Sequence, residues 1–116
     1  GGGGAGGRPA ADAALWGEIG ARVNELREAV LGHFSFEEKH VFPLYEQSSG
    51  QESSTDWLRA QHDDMRGAFW VLGTLSAPDD PQRFRAELAA LQAAFDAHAA
   101  EEERRMYPLF ERLLKP

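Results

Sequence analysis

The chain has 116 residues, and 12 basic against 19 acidic side chains leave a net charge of −7. That length fits one domain, and the acidic balance argues against nucleic-acid or anionic-membrane partners while suiting a cation. Cysteine is absent, which excludes disulfides, thiolate zinc sites, iron–sulfur clusters and cysteine nucleophiles.

The chain opens on GGGGAGG, and residues 1–11 read as a Gly-rich flexible linker or truncated end with no core-forming power. Residues 12–116 read as one helical domain. A first helix is predicted from about Asp12 to Gln47, with apolar residues at Trp16, Ile19, Val23, Leu26, Val30, Val41 and Leu44 spaced by threes and fours. SSGQESST (Ser48–Thr55) is a loop ending in capping residues. A second helix follows from Asp56 to Leu75, carrying Leu58, Met65, Phe69 and Leu72. SAPDDP (Ser76–Pro81) is the next break, with Asp80 as N-cap and Pro81 at the first helical position. A third helix spans about Gln82 to Leu114, with Phe84, Leu88, Leu91, Phe95, Met106 and Leu109. Pro43 and Pro108 are expected to kink or end their helices. No segment alternates as a strand does, so the fold class is all-α.

The first and third helices repeat one another. HFSFEEKHVFP (His33–Pro43) and HAAEEERRMYP (His98–Pro108) align at an offset of 65 residues, 98 − 33. The offset pairs His33, Glu37, Glu38 and Pro43 with His98, Glu102, Glu103 and Pro108, and Ile19, Val23, Leu26 and Val30 with Phe84, Leu88, Leu91 and Phe95. A matched motif on a matched stripe indicates a duplicated helical hairpin. Shifting the second helix back by the same offset places its counterpart before and around the first residue. A four-helix plan is therefore expected with three long helices present and the first one missing.

At about 100° per residue, Glu37 lies about 40° from His33, inside the apolar stripe, and Glu102 lies likewise beside His98. His62 on the second helix sits among Leu58, Met65 and Phe69. Buried carboxylates are costly unless paired or metal-bound. Two Glu and three His aimed into one bundle core can satisfy each other by ligating a metal, and bundle cores hold dinuclear carboxylate–histidine sites in this way. Ligation by nitrogen and oxygen alone suits iron or manganese, with zinc also accommodated. The bland alternative is a buried His–Glu hydrogen bond; its recurrence in both halves favours shared ligation. His40 lies on the same face, but its repeat partner is Arg105, which points to an outer position. Glu38, Glu101, Glu103, Asp63 and Asp64 read as solvated faces. Phe34, Phe36, Phe42, Tyr45, Trp70, Phe95, Tyr107 and Phe110 read as core packing, with some walling the metal pocket.

On His33-x3-Glu37, His98-x3-Glu102, the lone His62 between them, and the EEKHVFP and EEERRMYP segments, the chain resembles the hemerythrin-like (HHE cation-binding) family over about residues 14–114. The resemblance implies an antiparallel up-and-down four-helix bundle around a non-haem diiron centre. It carries His33, Glu37, His62, His98 and Glu102 over as ligands, with Glu37 and Glu102 as bridges, and implies binding or sensing of O2, NO or iron, with an oxidase or ferroxidase role as a minor variant. Two departures favour a bacterial-type or sensor-type branch over an oxygen carrier. Arg66 stands where the carriers have a second His, and His98-x3-Glu102 stands where they have His-x4-Asp. The alternative, from a different class, is a metal-free degenerate bundle acting as an interaction or regulatory module, whose apolar groove takes a partner helix or a second copy of the chain. With no apolar run of membrane-span length and no signal-peptide pattern, a cytoplasmic setting without a membrane partner is expected.

Overall fold

The computed structural model describes residues 2–75 and 80–115, with side chains from residue 12 onward. Among these residues it is helical with no strand: α1 (Gly2–Phe36), a π-helical turn (Glu37–Val41), α2 (Phe42–Ser49), α3 (Asp56–Leu75), α4 (Pro81–Arg105) and α5 (Tyr107–Leu114). α3 matches the expected second helix at both ends. α1 starts at Gly2 rather than near Asp12, so the described glycines continue the helix instead of forming a linker. Glycine weakens a helix by up to about 1 kcal/mol per residue relative to alanine, but extending a formed helix needs no new nucleus. The expected break over residues 76–79 lies outside the described residues. At its end, the Asp80 side chain accepts from the Arg83 N–H at 3.1 Å and caps α4, with Pro81 in the first turn.

Each predicted proline interruption is present, achieved differently in the two repeats. Proline has no N–H, and its ring collides with the carbonyl four residues back. Before Pro43 the backbone widens into the π-helical turn, in which Phe42 N–H bonds to the Glu37 carbonyl five residues back. Pro43 then falls in the first turn of α2, where a missing donor is harmless. Before Pro108 the helix instead breaks at Met106, whose N–H still bonds to the Glu102 carbonyl at 2.8 Å. α2 ends at Gly50, which adopts φ 74°, a left-handed conformation that favours glycine. Across the loop, buried Thr55 donates to Glu46 at 2.5 Å, and Arg59 reaches both residues, tying α2 to the start of α3.

Trp16, in the first half of α1, meets Phe84 edge-on at 5.3 Å near the start of α4, and Tyr45 meets Phe110 at 6.3 Å midway along α2 and α5. The two repeat units therefore run in one direction. α3 runs against both, since its early residues Gln61 and His62 touch the late residues His98 and Glu38. Burial concentrates in two places. Phe34, Met65, Phe69, Leu72, Phe84 and Leu91 form the larger apolar cluster. Phe42, Leu58 and Met106 form a smaller one at the other end. Polar residues fill the space between them.

Not all of the expected stripe is buried. Leu26 is 47% exposed, and Leu44, Phe36, Trp70 and Tyr107 are also exposed. Helical phase turns Phe36 and Trp70 away from their buried neighbours Phe34 and Phe69. Leu26 borders an open groove of about 330 Å³ between α1 and α4, lined by Val30, Phe69, Leu88, Leu91 and Phe95.

The contrast between Leu72, fully buried, and Trp70, 71% exposed, gives a direct test of this packing. Leu72→Ala should lower the unfolding free energy by about 2–5 kcal/mol. Trp70→Ala should change it by no more than about 0.5 kcal/mol. Urea titrations followed by far-UV circular dichroism distinguish the two; equal losses would contradict the described core.

Candidate metal centre

Glu37, His62, His98 and Glu102 are all buried, and each offers a ligand atom within 4.8 Å of the others. Glu37 comes from the π-helical turn, His62 from α3, and His98 and Glu102 from α4. His62 is completely buried between Phe34, stacked at 3.9 Å, and Phe42, at 5.2 Å. His98 lies edge-on to Phe34 at 5.8 Å. These rings fix both imidazole planes and keep water away from them.

The outer hydrogen bonds fix the tautomers. Glu38 Oε2 lies 2.6 Å from His62 Nδ1, and an ionised carboxylate only accepts, so Nδ1 carries the hydrogen. Gln61 Oε1 accepts from His98 Nδ1 at 2.7 Å. Both histidines therefore turn Nε2 inward, and these atoms approach to 2.9 Å. Glu37 Oε1 lies 3.2 Å from His62 Nε2 and 3.9 Å from His98 Nε2, yet no donor is aimed at it in hydrogen-bond geometry. Glu102 pairs with His98 Nε2. Four acceptors thus converge with too few protons among them. A shared cation is what such a group lacks, and this donor set fits one.

The electrostatics agree. Burial pushes the Glu37 carboxyl upward, but His62 and His98 more than offset this and hold it well below the usual carboxylate range. Glu102 shifts the other way, raised by burial and by neighbouring Glu37 against the pull of His98. Burial disfavours charge on His98, yet Glu102 and Glu37 prevail and raise its pKa to about 9. Without metal, His98 Nε2 holds a proton among the acceptors.

Of the residues expected at the site, Glu37, His62, His98 and Glu102 are brought together, and His33 is not. Its side chain is 60% exposed, with Nε2 3.7 Å from Glu37 Oε1, at the rim of the cluster. The sequence placed it within the stripe; no helix among the described residues covers that side of α1. His40 is exposed and lies 5.1 Å from the Phe36 ring, outside the cluster. Glu38 is the residue the pattern missed. It was expected on a solvated face, but it bonds His62 and Arg66, the latter at 2.8 Å. A π-helical turn has more residues per turn, so it rotates less at each residue and keeps Glu38 close to the face of Glu37. The only sequence signal for this was Pro43.

The sequence model of the family described as "Hemerythrin HHE cation binding domain" matches residues 4–110. The chain belongs to that family. No curated protein and no solved structure matches it significantly. Family membership and the buried His/Glu group both point to metal binding in this hemerythrin-type bundle. No helix among the described residues is long and apolar enough to cross a membrane.

The raised His98 pKa makes the stability of the metal-free domain depend on pH. A histidine raised from 6.5 to about 9 stabilises fully below 6.5, and this contribution is lost as the pH climbs through 9. Glu37 acts oppositely, stabilising above its ordinary pKa of 4.5 and losing that effect only in acid. The melting temperature of chelator-treated protein should therefore fall between neutral pH and pH values above 9. His98→Gln should flatten the fall, as followed by circular dichroism; parallel curves would assign the slope elsewhere.

Proposed function

We propose that this domain is a non-haem iron-binding module that holds a diiron centre and binds or senses O2, NO or iron. The observation that carries this reading is the buried convergence of four acceptor side chains on one point, two of them imidazoles with fixed tautomers. In this reading Glu37 and Glu102 would hold the metal as bridging carboxylates, His62 and His98 as terminal donors, with His33 at the rim as a further donor. Such a centre would supply a redox-active ion able to take a diatomic ligand. Iron is the first choice for this sulfur-free donor set; manganese and zinc are the alternatives. The role is binding rather than catalysis.

The protein's own contribution is to hold the donors ready and to control what reaches them. Phe34 and Phe42 exclude water from the His62 side. Exposed His33, beside Glu37, marks the side of the cluster that meets solvent. The proton on His98 must leave as a cation enters, so affinity rises with pH until that proton is gone.

The apolar groove between α1 and α4 favours an added reading, in which a partner helix or a second copy of the chain completes the bundle. Sedimentation equilibrium tests it: a concentration-dependent dimer, weakened by Leu26→Glu, is expected.

The deciding experiment is metal content after anaerobic Fe(II) loading and desalting. About two irons per chain are expected, as in other bundle-core carboxylate sites. Glu37→Ala and Glu102→Ala should each reduce loading sharply, while the exposed His40→Ala should not. Loaded protein should then change its visible absorption on exposure to O2 or NO. Wild-type protein that retains no metal would refute the metal reading and leave the interaction module.

A further inference from the structure

The two buried histidines are held by unequal partners. His98 is backed by the neutral amide of Gln61 at 2.7 Å. His62 is backed by Glu38, whose Oε2 accepts both from His62 Nδ1 at 2.6 Å and from Arg66 at 2.8 Å. Arg66 is itself braced by Asp63 at 2.8 Å and lies 5.9 Å over the face of Phe34. The chain Asp63–Arg66–Glu38–His62 thus runs from the surface of α3 through the π-helical turn to the centre of the cluster. The Arg66 guanidinium, 2.8 Å away, is the ion-pair partner of the Glu38 carboxylate.

We propose that Glu38, anchored by Arg66, is the positioning residue of this centre, fixing His62 with Nε2 inward and making it the stronger of the two imidazole donors. This deepens the metal-binding reading and rests on it. An acceptor-only partner on Nδ1 forces the hydrogen onto that atom and leaves the Nε2 lone pair free. A carboxylate does this more strongly than an amide and raises the basicity of the ring. Phe34 and Phe42 restrict the ring plane but do not choose between its nitrogens, because stacking is indifferent to which one is protonated. Glu38 makes that choice. Arg66 prevents the carboxylate from turning to solvent, which at 24% side-chain exposure lies within its reach.

The test uses the full chain in two states. In the metal-free state, long-range proton–nitrogen correlation of the histidine rings reads the tautomer of His62 directly. In the loaded state, Co(II) affinity is read by competition with a chromophoric chelator. Wild type should show the Nδ1–H tautomer at His62. Glu38→Ala should shift His62 toward the Nε2–H form and weaken Co(II) binding about 10–100-fold. Glu38→Gln keeps an acceptor without the charge, so it should retain the tautomer and fall between the two in affinity. It also serves as the folded comparison if the alanine variant is unstable; Co(II) affinity as high as wild type in Glu38→Gln would overturn the role of the charge. Arg66→Gln should likewise be intermediate; a wild-type result would remove Arg66 from the proposal. An unchanged His62 tautomer and wild-type affinity in Glu38→Ala would overturn the proposal as a whole. If wild type binds no Co(II) at all, the metal reading fails, and the tautomer measurement still decides whether Glu38 positions His62.

Discussion

The centre of this domain is built on an electrostatic deficit. Two carboxylates and two inward-facing imidazole nitrogens share a volume from which water is excluded, and every one of them accepts. In the metal-free protein a proton on His98 relieves part of the conflict, which is why the pKa of that ring is raised while burial pushes it down. A group arranged in this way stabilises the fold poorly by itself, because buried charges recover their lost hydration only when fully paired. The surrounding structure supplies the stability: the larger apolar cluster on one side, and Phe42, Leu58 and Met106 on the other. The polar layer is held by its neighbours in a geometry it would not adopt alone.

The means of holding are local and identifiable. Phe34 and Phe42 clamp His62 from both faces, one from the end of α1 and one from the start of α2, on either side of the π-helical turn. Arg59, bonded to Glu46 and Thr55 and lying 5.3 Å over the Phe42 ring, secures that aromatic wall from α3. The second repeat uses simpler devices. His98 and Glu102 lie one turn apart on a regular helix, with Gln61 reaching across from α3. The duplicated sequence therefore gives two unequal halves, because one proline is accommodated by widening a turn and the other by breaking the helix.

Much of this was legible in the sequence. Helical periodicity, the Asp80–Pro81 cap and the breaks before Pro43 and Pro108 follow from local rules, and the described helices obey them. His98 and Glu102 could be brought to one face because a spacing of four works on a regular helix, Glu37 followed as the repeat counterpart of Glu102, and His62 followed from its place among Leu58, Met65 and Phe69 on an apolar stripe. Four features were not readable. His33 lies at the rim because that side of α1 has no covering helix among the described residues, and a periodicity argument assumes a covered stripe. Leu26 and Leu44 are exposed although they belong to that stripe, Leu26 at the edge of the open groove. Glu38 was assigned to solvent because one angular step was applied throughout; a turn with a different step cannot be seen in a list of residue types. The extension of α1 to Gly2 was also missed, since glycine composition reads as linker even where a downstream helix can be prolonged.

The π-helical turn gives the centre an unusual sensitivity to chain length. It holds one residue more than an α-helical turn would over the same rise. Because the extra residue is absorbed within one turn, α1 and α2 keep the phase they would have on an uninterrupted helix. Loss of a single codon at Lys39 would therefore leave the two helices facing as they do and change only the turn between them. The His-x3-Glu spacing would be intact in both repeats of such a gene. Glu38 would take the wider angular step of a regular helix and move away from His62 Nδ1, which it now meets at 2.6 Å. A one-residue deletion of this kind keeps the His/Glu group and loses the contact behind it.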